Sequence, residues 1–526
     1  MARIARNTVI FSLLTGLSRI AGLAREIVAS SYFGTSGPFS AFTIAFQVPN
    51  LVRSLFADAA LSAAFVPVFT ELLERKERKE AFRLASTLFF LIVAVLGLVT
   101  IFFVLAAPAL MPLFTGDEFS EELDALTSGL AQVMFPIVVL LGLNGLLVGI
   151  LNAYDHFTIP ALSPVVWNVV ILAFLIGGRG WFEGGDELYA YAIGVVAGTL
   201  VQLAMAVPVL RRLGFSISLR IDLRDPRLKR VLMLMLPVTI GLGLINFNLL
   251  INSILGSLVS EQAPRAIDAA FRVYMLPQGI FSVAIATVLF PALSRLAARS
   301  DFDGLWALNA TGTRQVFLLL VPAAAFTLVL AEPITRLLYE RGEFGAADTE
   351  RVASALIWFS LSLPFSGANL LLTRTFFSLQ RPWIPTAIAG FSLAVNAAVS
   401  VALYGPFGIP GIVAGTVVST AATTLALAWW LRRELSGRLE AGRTAGAVAR
   451  MVAASAALGW VAYGAYELLT GLLGEGLVGQ AVAVAAALAA GSAAYAAAVV
   501  ALEVQEALYL RRLVASRLQA RRGGGR

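Results

Sequence analysis

The sequence predicts an all-α polytopic membrane protein with about fourteen transmembrane helices, built as two pseudo-symmetric six-helix lobes plus two carboxy-terminal helices. Three observations carry this reading. Hydrophobic residues fill 59% of the 526 positions and charged residues only 13%, about half the charged share of ordinary soluble domains, and the mean hydropathy is +0.83. Apolar runs of the ~20 residues that cross hydrocarbon as a helix recur along the whole chain. Basic residues alternate between heavily and lightly loaded connections, as the positive-inside rule requires.

Apolar runs between polar or Pro/Gly-rich breaks place the first six spans near 8–33, 39–70, 83–107, 125–153, 157–177 and 188–210. A second set follows near 228–257, 265–294, 312–331, 352–378, 383–403 and 411–431, then two more near 444–466 and 478–506. Arg3 and Arg6 before the first run resemble the start of a secretory signal. Arg19 and Arg25 interrupt that run, however, and no small-residue cleavage site follows, so the expectation is an uncleaved first span. With the amino terminus inside, the inside segments hold 30 basic residues, the outside loops hold 5, and Arg19, Arg25, Arg53 and Arg272 lie within spans. A missed or invented helix would scramble this alternation, so both termini are expected to be cytoplasmic, in a bacterial inner membrane. The acidic outer loop 117–124 and the basic inner loop 211–230 fit the same topology. The excess of Arg over Lys, 36 to 3, with abundant Ala and Gly, points to a high-GC bacterial genome.

Composition also excludes chemistries. The chain has no cysteine, and its one histidine, His156, falls in a short inner loop as an interfacial polar residue. Thiol catalysis, disulfides and histidine-rich metal sites are thereby ruled out. No Walker loop or dinucleotide fingerprint stands where a nucleotide would need it, and nothing suggests a nucleic-acid partner.

An internal repeat organises the spans. Gly194-Val195-Val196-Ala197-Gly198-Thr199 opens the sixth span and Gly411-Ile412-Val413-Ala414-Gly415-Thr416 the twelfth, and both spans end on paired arginines. Ile159-Pro160 matches Ile384-Pro385, and Pro49-Asn50 matches Pro277-Gln278, in the same order and at similar offsets. Six spans per half make a parallel repeat, with a substrate site expected between the halves. The lobes are then 1–215 and 216–435, followed by spans thirteen and fourteen in 436–510 and a basic tail at 511–526 that suits anionic membrane lipid.

Charges inside spans mark the candidate site. An arginine at a span centre costs ~2.5–3.5 kcal/mol, so four must line water or find partners. Arg19, Arg25 and Arg53 lie in the first two spans and Arg272 in the eighth, with Glu26 and Asp58 as nearby acids. Arg19 and Glu26, seven apart, share a helix face with Gly22 between them. The excess of positive charge points to an anionic, phosphate-bearing substrate, because the planar guanidinium donates paired hydrogen bonds and stays charged. Gln47, Asn50, Asn246, Asn248, Asn252 and Asn369 are polar groups that either line the same cavity or bond between helices.

Leu17-Ser18-Arg19, Gly22-Leu23-Ala24-Arg25-Glu26, Phe33-Gly34, Pro49-Asn50-Leu51, Arg53 and Ala64-Phe65-Val66-Pro67 closely resemble the MurJ (MviN) family of lipid II flippases. Gly149-Ile150-Leu151-Asn152, Pro277-Gln278-Gly279, Pro291-Ala292-Leu293-Ser294 and Gly342-Glu343-Phe344 extend the resemblance over roughly 1–435. It implies the fold of the multidrug/oligosaccharidyl-lipid/polysaccharide exporters and outward transport, by alternating access, of an undecaprenyl-diphosphate-linked peptidoglycan precursor. That is a transporter and not an enzyme. It makes Arg19, Arg25, Arg53, Arg272 and Asn50 substrate contacts, with Glu26 and Asp58 as charge partners, and gives spans thirteen and fourteen a lipid-tail groove. Lipid II or a related polyprenyl-diphosphate glycolipid, membrane lipids and cell-wall synthesis proteins are the implied partners. No cofactor is implied, and membrane potential is the expected drive. The chain departs from some members at Ser40 and Met275, where they carry acids, and at Asn252 and Arg381, which stand where a cation site of some relatives has acids. Sodium coupling is therefore not expected. The alternatives are a flippase for another polyprenyl-linked glycan and a non-transporting scaffold for cell-wall synthesis.

Overall fold

A computed structural model describes residues 2–508 apart from 57–58, 219–220, 435–440 and 475. Among the described residues every regular element is helical. The first half runs α1 (Ala2–Phe33), α2 (Gly37–Phe56), α3 (Ala59–Glu74), α4 (Arg78–Leu110), α5 (Glu121–Met134), α6 (Ile137–Ala153), α7 (Thr158–Gly177) and α8 (Glu187–Arg212). The second runs α9 (Pro226–Ser257), α10 (Ala263–Pro277), α11 (Val283–Ala298), α12 (Phe302–Val329), α13 (Ala331–Tyr339), α14 (Ala346–Ser378) and α15 (Trp383–Glu434). α16 (Ala441–Leu473) and α17 (Leu477–Ala501) follow.

Eleven described helical stretches are long and apolar enough to cross a membrane. The 52-residue α15 counts twice, because Gly408 at φ 58° and ψ −133° breaks it into two arms. With α1, and with α2 and α3 counted together as one span, the number reaches the fourteen expected.

Proline and capping residues explain where single spans divide or begin. The fourth span parts into α5 and α6 at Phe135-Pro136, since proline cannot donate to the helix ladder. After Pro277 the eighth span passes through a wide turn at Gln278–Ser282 before α11 resumes. Ser120 caps α5 by accepting the Leu123 N–H at 3.3 Å, and Glu121, Glu122 and Asp124 fill its first turn, where the helix dipole favours negative charge. The acidic stretch 117–124 is thus in part a helix start. Asp225 caps α9 in the same way, accepting the Arg227 N–H at 2.8 Å with Pro226 at the first helical position.

The repeated glycines do the same work twice. A Cβ on Gly194 would lie 2.7 Å from Phe174, and one on Gly198 would lie 3.1 Å from Trp167, so glycine lets α8 lie close on α7. In α15, Gly411 abuts the Leu403 carbonyl and Gly415 abuts Ser400 and Asn396.

The chain divides into two compact units, one of Met1–Arg265 with Arg341–Phe344, the other of Ala266–Glu340 with Gly345–Arg526. The first buries an aromatic and aliphatic core that includes Phe39, Phe65, Phe69, Phe135 and Ile150. Compactness groups α9 with this unit, where it packs on α2 and α3, whereas the sequence repeat starts its second copy before α9. In the second unit α16 packs along α17 and α12 around Leu458, Ala462 and Ala487.

Candidate functional site

α1 brings three of the predicted residues to the first unit. Its packing partner is α7, and contact is close at Gly22, where the Asn168 amide lies 3.7 Å from the position a Cβ would take. Asn168 Nδ2 donates to the carbonyls of Pro164, at 2.9 Å, and Ser18, at 3.4 Å, tying the two helices together. The neighbour that glycine admits is therefore this side chain. Arg19 stays on an exposed side of the helix. Arg25 is buried, its guanidinium 4.9 Å from the centroid of the Trp167 ring. Its Nε has no hydrogen-bond partner, and no carboxylate pairs with it, among the described residues.

Glu26 does not pair with Arg19. Seven helical residues span ~10 Å along the axis, too far for a direct bond even on a shared face. Its partner is Arg265 at the start of α10, with both side chains at most 4% exposed. The same guanidinium donates to Ser30 Oγ at 2.9 Å and lies 4.0 Å from the Phe39 ring centroid. The Arg265 backbone N–H donates to Ser40 Oγ at 3.2 Å, tying the start of α10 to α2. Arg265 looks in sequence like a residue of an outer loop. Only the tertiary contact reveals it.

α2 supplies a second cationic group. Arg53 donates through Nε and an Nη to Asn50 Oδ1 at 3.1 and 2.8 Å, and Asn50 Nδ2 donates to Asn246 Oδ1 on α9 at 3.1 Å. The amide chain thus fixes the direction of the guanidinium. Gln47 Oε1 and Asn248 Oδ1, on the same two helices, are buried without a hydrogen-bond partner among the described residues and are open acceptors for hydroxyl or amide hydrogens. Asp58 lies outside the described residues. Asn369 spends its amide on Thr420 and Thr424 of α15, at 3.1 and 2.8 Å, as an interhelical bond.

In the second unit Arg272 Nε donates to Asp268 Oδ2 at 2.8 Å, one helical turn back, and remains about a third exposed. This revises the charge balance drawn from sequence, which left Asp268 out; its spacing of four from Arg272 was the available signal. An apolar groove of about 840 Å³ runs along this unit between α12, α14 and α16, lined by Phe317, Val321, Leu328, Val448, Val452 and Trp460 among others. α17 contributes no lining residue and supports α16 from behind. Arg314, counted from sequence among the inner-loop cations, is instead buried against Glu506 at 2.5 Å. Asn252 is buried and Arg381 lies 3.8 Å from Glu434. Among the described residues no group of three His, Asp or Glu side chains could hold a metal ion.

The family model for lipid II flippase MurJ matches residues 29–483. A probable lipid II flippase MurJ of Rhizobium meliloti is 33% identical over 407 residues, 76% of each chain. The lipid II flippase MurJ of Burkholderia cenocepacia is 30% identical over 380 residues, 71% of this chain and 73% of that one. Among solved structures, a lipid II flippase MurJ in an inward closed conformation superposes with a TM-score of 0.77 at 21% identity, over 96% of this chain and all of the other. An inward-facing multidrug-resistance MATE transporter of the MOP superfamily gives 0.67 at 16% identity, over 81% of this chain and 98% of the other. At these identities the two structures speak to the fold.

Proposed function

Because this chain belongs to the lipid II flippase MurJ family, we propose that it moves lipid II, the undecaprenyl-diphosphate-linked peptidoglycan precursor, from the inner to the outer leaflet of the bacterial cytoplasmic membrane. It is a multi-pass membrane transporter working by alternating access, with both termini inside.

The observation that carries the mechanism is Arg25. A buried guanidinium in a membrane-spanning helix, resting on an indole and without a carboxylate among the described residues, is costly unless an anion visits it. A diphosphate supplies that anion and matches the guanidinium fork. Arg53, aimed by Asn50, and the more exposed Arg19 and Arg272 are the further phosphate contacts. Gln47 and Asn248 accept from sugar hydroxyls or peptide N–H groups of the headgroup. The apolar groove beside α16 takes the prenyl tail. Glu26 acts through Arg265, holding the α1 end in place.

Transport draws on the membrane potential. Two negative charges moving outward across a membrane that is negative inside gain roughly 4–5 kcal/mol per 100 mV, at ~2.3 kcal/mol per charge. The emptied cationic site is drawn back inward by the same field. No cofactor or sodium ion is needed.

The test is growth of a bacterium depleted of its own flippase, together with the accessibility of lipid II to an external probe. Wild type should restore both, and collapsing the potential should halt export. Arg25→Ala and Arg272→Ala should abolish rescue at normal protein levels, while Arg25→Lys rescues partly because a point charge lacks the fork. Growth and normal export with Arg25→Ala would overturn the mechanism.

A further inference from the structure

Arg25 of α1 has an aromatic partner, and α7 and α8 build that partner in. Trp167 of α7 is half-buried, with its ring centroid 4.9 Å from the Arg25 guanidinium carbon. Phosphate binding by Arg25 does not by itself require an indole there.

The ring is held from several sides. Its Nε1–H donates to Thr199 Oγ1 of α8 at 3.1 Å. That hydroxyl spends its own hydrogen on the Val195 carbonyl at 2.7 Å, which leaves a lone pair for the indole. Gly198 stands so close that a Cβ there would lie 3.1 Å from the ring's Cδ1 and 3.1 Å from the Trp167 carbonyl oxygen. Asn168, the next residue of α7, donates to the Pro164 and Ser18 carbonyls and anchors this turn to α1. Gly198 and Thr199 end the motif that opens the sixth span. The motif that draws α8 onto α7 therefore also seats the indole.

What an indole does for a buried cation differs from what a carboxylate does. A guanidinium in a membrane-spanning helix needs a compensating partner. A carboxylate compensates by taking the paired N–H groups that phosphate would use, so an arriving diphosphate would have to displace it. The negative face of an indole attracts the cation through the ring quadrupole and takes none of those N–H groups as a hydrogen-bond acceptor. Arg25 Nε accordingly has no hydrogen-bond partner among the described residues. We propose that Trp167 is a positioning residue for the transported headgroup, holding Arg25 in place while leaving its donor edge to the diphosphate; this rests on the reading of Arg25 as a phosphate contact. Thr199 acts one step further out, by fixing the ring.

The test uses the full-length protein in detergent, with undecaprenyl diphosphate binding read by native mass spectrometry and the melting temperature taken on the same samples. Trp167→Leu should weaken binding about tenfold, the scale of a desolvated cation–π contact. Trp167→Phe keeps an aromatic face and should lose much less. Trp167→Glu separates holding the cation from presenting it. Its carboxylate gives Arg25 a partner, so this variant should melt no lower than Trp167→Leu and yet bind more weakly. Thr199→Val should fall between wild type and Trp167→Leu. In an Arg25→Ala background, where the other arginines supply the residual binding, Trp167→Leu should cost nothing further.

Two failures are separable. Arg25→Ala binding like wild type would overturn the phosphate reading, and the role of Trp167 falls with it. A weakened Arg25→Ala beside a Trp167→Leu that binds like wild type overturns the positioning role alone. A Trp167→Leu loss that persists undiminished without Arg25 does the same, as does Trp167→Glu binding as tightly as Trp167→Phe. Either result makes the ring a packing residue.

Discussion

Glu26 holds Arg265 inside the first unit, in a pair whose two side chains are at most 4% exposed and which Ser30 and the Phe39 ring complete. Removing one member of such a pair strands a charge in a low-dielectric surround, at a cost of about 3–5 kcal/mol. Arg265→Ala and Glu26→Ala should each lower the melting temperature markedly in detergent. The double change Glu26→Leu/Arg265→Met should recover most of the loss, because neither charge is then left behind. An Arg265→Ala protein that melts like wild type would remove this pair from the account of stability.

Asn50 aims Arg53 through two hydrogen bonds. Asn50→Ala should keep the charge and lose its direction, reducing lipid II export by about tenfold, the scale of one charge-assisted hydrogen bond. Asn246→Ala, one link further away, should reduce it less. Equal losses in the two variants, measured by lipid II accessibility at matched expression, would argue against a relay through Asn50.

Asp225 sits outside the spans, where pH can be tested. Burial works against its carboxylate, but hydrogen bonds from the Arg227 side chain and backbone, and the charges of Arg227 and Arg83, outweigh burial and hold its pKa below the ordinary value of 3.8. The same bonds push the Arg227 guanidinium up. A carboxylate with a lowered folded-state pKa contributes stability above its unfolded pKa and loses it as pH falls through the folded one. Asp225→Asn keeps a capping oxygen but removes the charge paired with Arg227, and should therefore cost on the order of 1 kcal/mol at neutral pH. The gap to wild type should close in acid below the ordinary carboxylate range. Melting curves across pH would show a constant gap if the charge were irrelevant.

Gly342 combines a left-handed φ of 64° with close approach to the Ser31 carbonyl, which also accepts the Glu343 N–H at 2.9 Å. Gly342→Ala should cost ~1–3 kcal/mol from the backbone conformation, plus the clash. It should also raise hydrogen exchange at the Glu343 amide. Gly345→Ala, where φ is −97° and the space is open, should change neither. Matching exchange in the two variants would contradict this reading.

Span positions were legible because hydropathy acts locally, and Pro277, singled out in the eighth span, stands at the break that the structure shows there; the break at Pro136 in the fourth span was not read. Arg25 and Arg53 were legible as interruptions of apolar runs. Partners were harder. Glu26 and Arg265 are 239 residues apart, and Arg314 and Glu506 are 192 apart, so no periodicity links them. Arg265 also lies at a helix start, where composition cannot separate a loop residue from a buried one. Asp268 was the readable exception, one turn from Arg272.

Gly408 makes the two arms of α15 neighbours through a very short reversal. Ser400 Oγ on one arm donates to the Ile412 carbonyl on the other at 2.9 Å. The intervening Tyr404-Gly405-Pro406-Phe407-Gly408-Ile409-Pro410 carries no charge. In the proposed topology, then, only an uncharged seven-residue tip has to cross the bilayer for both arms to arrive. In that topology the pair can enter as a preformed hairpin, with its polar contacts already closed before lipid surrounds them, and the arginines at 381 and 432–433 would stay behind and set its orientation.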